Sequence, residues 1–271
     1  MAIIFDGKKF ASEKLDEMRK EAEELKKRRV VPKLISILVG DDYASKLYVS
    51  LKKKAGERIG VKVDILKFKK NVGLTQLINL IKRLNKDKSV HGIMIQLPLP
   101  RHFTKSDRDR VINAISYEKD VDGLAENSLF LTPVVAAVLM VVKKGTGLIA
   151  QPVSRVIVIG AFGFEGQKIA GGLKEMGYRV EAIDIKTKNL KLKTKNADIL
   201  ISVTGVEGLI RKDMVKSGAV VIDVGSPQGD VKTQEVVEKV AFISPVPGGI
   251  GPVTIYYLLD NLIKAASREK N

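Results

Sequence analysis

Ser45, Tyr48 and Lys52 are spaced three and then four residues apart, Ser45-x-x-Tyr48-x-x-x-Lys52. On a helix turning about 100° per residue they share one polar strip. A Tyr and a Lys one turn apart can move a proton between them and a bound molecule. The same spacing predicts a buried stripe of Leu47, Leu51 and Ala55 beside that strip, with Lys53 pointing away and Lys54 on the opposite border. The segment follows an apolar run, Leu34 to Val39, that ends in Gly40. It therefore reads as a helix leaving the carboxyl end of a buried strand, the edge where open α/β sheets place ligands. The plainer alternative is a lysine lying along its own helix with the ammonium in water. This stretch alone leaves both open.

Three other segments carry chemistry or shape a backbone for it. Lys119-Asp120-Val121-Asp122-Gly123 sets two acids two residues apart before a glycine, which reads as a turn, with exposed carboxylates as the simplest outcome. Gly160-Ala161-Phe162-Gly163-Phe164-Glu165-Gly166 follows the apolar strand Val156–Ile159 and opens a helix. Its spacing is G-x-x-G-x-x-G, a weak match to a dinucleotide fingerprint by itself, strengthened by its strand–turn–helix context. The start of such a helix offers N–H groups and a positive dipole end to a pyrophosphate. Asp184, eighteen residues beyond Gly166, stands near where an acid hydrogen-bonds an adenosine ribose. Finally, Pro245 to Gly251, with Pro252 next, packs three prolines and three glycines into eight residues. Such a backbone is irregular and can approach a ligand closely.

The elements that must position these residues follow from periodicity. A short strand at 2–5 leads into a helix at 8–27. Strands at 33–39, 61–68 and 92–97 alternate with helices at 42–59 and 74–84, three βα units that argue for a parallel sheet. A polar helix near 105–115 and an apolar helix from Pro133 to Lys144 follow, the latter read as a buried connector. A second α/β series then begins, with strands at 156–159, 178–185, 199–203, 219–224 and 240–243 and a helix at 166–176. A last apolar helix is expected from Ile255 to Ala266. The fold class is α/β with two lobes: residues 1–126 with the returning C-terminal helix 252–271, and a Rossmann-like parallel-sheet lobe at 134–248.

Composition bounds the function. The chain has 271 residues, 45% hydrophobic and 29% charged, an ordinary globular balance. It contains no Cys and only two His, His91 and His102, so disulfides and thiolate metal sites are excluded and a zinc site is not expected. No apolar run reaches membrane-spanning length and no basic leader precedes the first strand, so a cytoplasmic location is expected. A net charge of +16 attracts polyanions of any kind. Aromatic residues are only 5%, without Trp, and none interleaves with the basic runs, which disfavours a base-stacking nucleic-acid platform.

Together, Ser45-x-x-Tyr48-x-x-x-Lys52, Ile95-Gln96-Leu97-Pro98-Leu99-Pro100, Lys119-Asp120-Val121-Asp122-Gly123 and Pro245-Val246-Pro247-Gly248-Gly249-Ile250-Gly251-Pro252-Val253-Thr254 resemble the bifunctional methylenetetrahydrofolate dehydrogenase/methenyltetrahydrofolate cyclohydrolase family, in its order and over essentially the whole chain. The resemblance implies oxidation of 5,10-methylenetetrahydrofolate with NADP and hydrolysis of the methenyl product to 10-formyltetrahydrofolate. It implies small-molecule folate substrates held against the first lobe, no nucleic-acid or membrane partner, and a homodimer. It makes Lys52 the proton-transfer residue, assisted by Gln96 and Tyr48, with Asp122 holding the pterin. Substrate contacts would come from Ser45, Tyr48, Lys52, Ile95, Gln96, Leu97, Asp120, Asp122 and the backbone of Pro247, Gly248, Gly249, Ile250 and Gly251. Cofactor contacts would come from Gly160, Ala161, Phe162, Gly163, Phe164, Gly166, Asp184, Ile185, Lys186, Thr204, Gly205 and Ser226. Hydride loss leaves a cation beside Lys52, and two like charges compete, so the amine's pKa should fall and let it assist water. Gln96, the lone polar side chain at a buried strand end, can direct that amine.

The chain departs from the family pattern in three places. Phe130-Leu131-Thr132-Pro133 keeps only the last two residues of a usual Pro-Cys-Thr-Pro. Gly160-Ala161-Phe162 replaces Gly-Arg-Ser, and Ile185 replaces a Ser that meets the 2′-phosphate of NADP. Asp184 beside it favours NAD, whereas Lys186 and Lys188 pull the other way. A dehydrogenase without hydrolase activity, a two-domain dehydrogenase of the shikimate or amino-acid type, and a basic nucleotide- or RNA-binding protein are the competing readings. The first is disfavoured by Lys52 and Gln96, the second by the folate-side motifs, and the third leaves Tyr48/Lys52 and the acidic turn without a role.

Overall fold

The computed structural model describes residues 2–148 and 153–268. The chain divides into two compact units, one of Ser12–Pro133 with Ile255–Asn271 and one of Met1–Ala11 with Val134–Thr254.

In the first unit, β2 (Lys33–Val39) lies between β3 (Lys62–Phe68) and β4 (Gly92–Ile95), all parallel. A central parallel strand is covered on both faces, which is why it reads as an unbroken apolar run. Period-two alternation divides its side chains. Ile35, Ile37 and Val39 join Ile93 and Ile95 against Leu77 and Ile81 of α3 (Leu74–Lys86) and Val111 of α4 (Lys105–Ile112). Leu34 and Met94 face a second cluster built from α1 (Gly7–Lys27) and α9 (Ile250–Ser267), including Leu15, Met18, Leu258, Leu259 and Leu262.

Helix α2 (Tyr43–Arg58) follows β2 and is capped by Asp42, whose carboxylate accepts from the Ser45 N–H at 2.8 Å. Its buried face differs from the one the sequence predicts. Ser45, Val49, Lys52 and Gly56 are buried, whereas Leu47 and Leu51 are 46% and 40% exposed. The close approach to β3 decides this. A Cβ on Gly56 would lie 2.5 Å from Val63 Cγ2, so the helix settles on its smallest residue and rolls the leucines outward. Lys52 thus belongs to the buried stripe itself, and Lys53 and Lys54 are exposed.

The second unit holds a six-stranded parallel sheet ordered β1-β9-β8-β7-β5-β6. Its strands are β1 (Ile3–Ile4), β5 (Val156–Ile159), β6 (Val180–Ile183), β7 (Ile199–Ser202), β8 (Val220–Asp223) and β9 (Phe242–Ser244). Helices α5 (Pro133–Thr146), α6 (Phe164–Glu175), α7 (Leu190–Thr194) and α8 (Thr233–Val236) complete it. Helix α5 packs inside this unit, with Gly145 against Val220 and Phe242 and Val135 against Gly172. Strand β5 sits between β6 and β7, so successive crossovers leave it in opposite directions and open the crevice where doubly wound sheets bind nucleotides.

Two boundaries differ from the sequence reading. The opening residues, expected with the first lobe, pair with β9 through Ile3–Phe242 and Ile4–Ile243, so they cluster with the six-stranded unit. Helix α9 begins at Ile250 rather than Ile255, because a proline in a helix's first turn forfeits no hydrogen bond and Pro252 is tolerated there. No helix among the described residues is long and apolar enough to cross a membrane.

Replacing Gly56 with Val should lower the unfolding free energy by about 1–3 kcal/mol through overpacking against Val63. Urea denaturation checks this. An unchanged midpoint would show that α2 does not rest on β3 through this residue.

Candidate active site

Lys52 is 8% exposed, and its ammonium reaches two groups from β4 and the residues just after it. Nζ donates to Gln96 Oε1 at 3.0 Å and lies 3.6 Å from Met94 Sδ. Gln96 is fixed in turn, because its Nε2 donates to the Leu97 carbonyl at 2.8 Å and its backbone N–H donates to Ile37 O at 2.9 Å. That second bond continues the β2–β4 ladder past the end of the strand. Burying an ammonium is costly unless a polar partner receives it, and the glutamine carbonyl is that partner. Ser45 is buried and Tyr48 half-buried, two turns and one turn before Lys52 on the same helix. Met94 was not singled out in the sequence, though it precedes Gln96 by two residues and period two puts both side chains on one face.

The acidic turn follows a different logic from the exposed carboxylates expected. Asp120 is fully buried, and its Oδ2 accepts from the Ala125 N–H at 2.8 Å. It therefore helps to organise the turn. Asp122 is half-buried. Asn261 of α9 clamps the same segment, donating from Nδ2 to Val121 O at 2.9 Å and to Leu131 O at 3.1 Å. Ile93 N–H donates to Lys119 O at 2.8 Å, which ties the turn to β4. Asn261 was missed because an asparagine inside an apolar helix has no local sequence signature for a distant partner.

In the second unit, the expected cofactor residues all fall at the carboxyl edge of the parallel sheet. Gly160–Phe164 follow β5, Asp184–Lys186 follow β6, Thr204 and Gly205 follow β7, and Ser226 follows β8. The turn after β5 is built for close backbone approach. A Cβ on Gly160 would lie 2.5 Å from Val203 O, and one on Gly166 would lie 2.1 Å from Gly160 O. Gly160 also has φ +78°, a conformation glycine adopts without penalty. Helix α6 starts at this turn, with Gly163 as its N-cap and no side-chain cap. These features fit a dinucleotide pyrophosphate. Phe162 is 62% exposed, whereas Ala161 is 2% exposed and offers no side-chain donor. Pro247, Gly248 and Gly249 form the turn after β9, and Ile250 and Gly251 are already in the first turn of α9.

Two buried carboxylates hold the loops at this edge. Asp230 Oδ2 accepts from Ser202 Oγ at 2.7 Å, from Thr204 N at 2.6 Å and from Thr204 Oγ1 at 2.8 Å. Asp223 Oδ1 accepts from Gly225 N and Asp230 N, and its Oδ2 accepts from Val231 N. The loops after β7 and β8 are thus cross-linked by side chains the sequence reading did not single out. Burial pushes the Asp223 carboxyl up to about 6, with the charge of Asp230 adding to it, against the pull of the backbone donors.

A doubly wound dinucleotide domain, joined in one chain to an α/β unit with a three-stranded parallel sheet that buries a lysine against a glutamine, is the architecture of a nicotinamide-dependent enzyme. Family comparison narrows this. Residues 5–122 match the tetrahydrofolate dehydrogenase/cyclohydrolase catalytic domain, and residues 132–270 match the NAD(P)-binding domain of the same enzymes. A bifunctional FolD protein of Listeria innocua is 38% identical, covering 99% of this chain and 98% of its own. The crystal structure of the bifunctional FolD dehydrogenase/cyclohydrolase of Campylobacter jejuni superposes with a TM-score of 0.90 at 38% identity, over 98% of this chain and 99% of that one. The Trypanosoma brucei enzyme, in complex with NADP cofactor and an inhibitor, gives 0.90 at 30% identity over 98% of each chain. The chain belongs to the tetrahydrofolate dehydrogenase/cyclohydrolase family, and methylenetetrahydrofolate dehydrogenase and methenyltetrahydrofolate cyclohydrolase are its activities.

Asp223 yields a pH test. Its folded pKa, about 6, lies above the 3.8 of an unperturbed aspartate, so the stabilisation it contributes is complete below about 3.8 and is lost as pH rises through 6. The stability difference between wild type and Asp223→Asn should therefore fall by on the order of 2–3 kcal/mol between pH 4 and 6.5 and then level off. Urea unfolding across that range checks it. A flat difference would contradict the burial-driven shift.

Proposed function

We propose that Lys52 is the proton-transfer residue of both reactions, with Gln96 setting its direction and Tyr48 and Asp122 positioning the folate. The observation that carries this reading is the 3.0 Å bond from Lys52 Nζ to Gln96 Oε1 in a buried setting. A carbonyl oxygen accepts equally well from an ammonium and from a neutral amine, so Gln96 keeps Lys52 aimed in either protonation state. When bound, the oxidised nicotinamide accepts a hydride from the methylene bridge of the folate. The protein's share of that step is alignment, the main contribution that hydride transfer requires. In the hydrolytic step, water attacks the bridging methenyl carbon and loses one proton to the Lys52 amine. The carbon–N5 bond then opens as the remaining hydroxyl proton is transferred to N5, and the carbon is left as a formyl group on N10.

Ser45, Ile95 and Leu97 are proposed as further substrate contacts, as is the Pro247–Gly251 backbone, with its cis Val246–Pro247 bond. Asp120 is assigned to holding the turn. Dinucleotide contacts are proposed from the turn 160–166, from Asp184, Ile185 and Lys186, and from Thr204, Gly205 and Ser226. The family resemblance supports a homodimer, which sedimentation equilibrium tests. The absence of cysteine from the sequence suits a reducing cytoplasm.

Replacing Lys52 with Met should reduce methenyltetrahydrofolate hydrolysis by at least about 10²-fold, the usual worth of a positioned acid–base group. The unfolding midpoint should be kept or raised, since an apolar chain replaces a buried charge beside Met94. Dinucleotide affinity should not change. Hydrolysis at the wild-type rate in this variant would remove Lys52 from the mechanism.

A further inference from the structure

The strand end after β6 bears on which dinucleotide this chain takes, a question that rests on the cofactor reading above. The Ile183 carbonyl accepts from the Gly160 N–H at 3.0 Å and from the Ala161 N–H at 3.1 Å. The glycine-rich turn and the next residue, Asp184, are thereby held side by side. Asp184 is itself pinned in a tight turn. Its N–H donates to Thr187 Oγ1 at 3.0 Å, and the Thr187 N–H donates to its carbonyl at 3.0 Å. The residue is half-buried, and among the described residues no lysine or arginine forms an ion pair with it. Ala161 and Ile185 bring no cation or donor of their own. Ala161 turns a methyl inward at 2% exposure, and Ile185 presents an alkyl chain at 42% exposure.

We infer that Asp184 makes this chain select NAD over NADP. A carboxylate fixed at this strand end accepts from ribose hydroxyls. A 2′-phosphate there would set two negative groups a few ångströms apart, with neither Ala161 nor Ile185 able to pair with it. Lys186 and Lys188 are the only nearby compensation in the segment, and both are exposed. A lysine ammonium on a flexible, hydrated stem gives a screened attraction. The carboxylate of a half-buried residue whose main chain is held in that turn is screened less.

Dissociation constants for NAD and NADP, measured by calorimetry on the full chain without folate, test this directly. NAD should bind at least tenfold more tightly than NADP. Asp184→Ser should narrow that ratio at least tenfold, mainly by improving NADP binding, while Lys188→Ala should leave NAD affinity unchanged. The inference is overturned if wild type binds NADP as tightly as NAD or more tightly, or if Asp184→Ser folds and leaves the ratio unchanged. Should that variant fail to fold, the wild-type ratio decides. Tighter NADP binding in a protein that still oxidises methylenetetrahydrofolate would overturn this inference alone. Binding of neither dinucleotide would overturn the cofactor reading with it.

Discussion

The hydrogen bond between the Lys52 ammonium and the Gln96 carbonyl is the constraint on which the catalytic unit depends. An ammonium with 8% exposure is tolerated only where a well-placed acceptor offsets its lost hydration. Gln96 can be that acceptor because its backbone continues the β2–β4 ladder and its amide is tied to Leu97. Gly56, by letting α2 sink onto β3, brings Lys52 within reach. Packing, strand register and a buried polar contact therefore act together to aim one nitrogen.

The same division between scaffold and functional edge recurs in the six-stranded unit. Apolar strands carry no chemistry there; they deliver loops to the carboxyl edge, where every proposed cofactor residue lies. Buried carboxylates cross-link those loops beside their apolar packing. Asp230 ties the loop after β7 through Ser202 and Thr204, while Asp223 gathers the N–H groups of the loop after β8. Asp120 and Asn261 do comparable work in the first unit, fixing the turn that carries Asp122. Acids that look like ligand contacts in sequence thus include some that hold backbone, as Asp120 does.

Much of this architecture was legible in the sequence. The strand at Lys33–Val39 and the helix of α3 emerged from periodicity alone, because strand and helix repeats differ and both segments are long. The family was legible because four short motifs with steric or chemical demands occur in order. The buried face of α2 was not. Leucines normally mark the inner stripe, but here Gly56 sets the closest approach, and a glycine's packing role depends on what lies opposite it in space. Asp120 also escaped, since a carboxylate buried by its own turn and one exposed in it share the same local sequence. The partners of Asp230 come from β7 and the loop after it, far from it in sequence, so no spacing rule links them. The first turn of α9 escaped because three prolines and three glycines in the stretch ending at Pro252 read as irregular backbone.

The central claim is that Lys52 and Gln96 act as one unit, and a double-mutant cycle on the hydrolysis rate tests it most directly. Rates for wild type, Lys52→Met, Gln96→Ala and the double variant give the coupling between the two side chains. If Gln96 works by aiming Lys52, the Gln96→Ala change should slow wild type substantially and slow the Lys52→Met protein hardly at all. Equal losses in both backgrounds would mean that the two residues act independently, and would contradict the account.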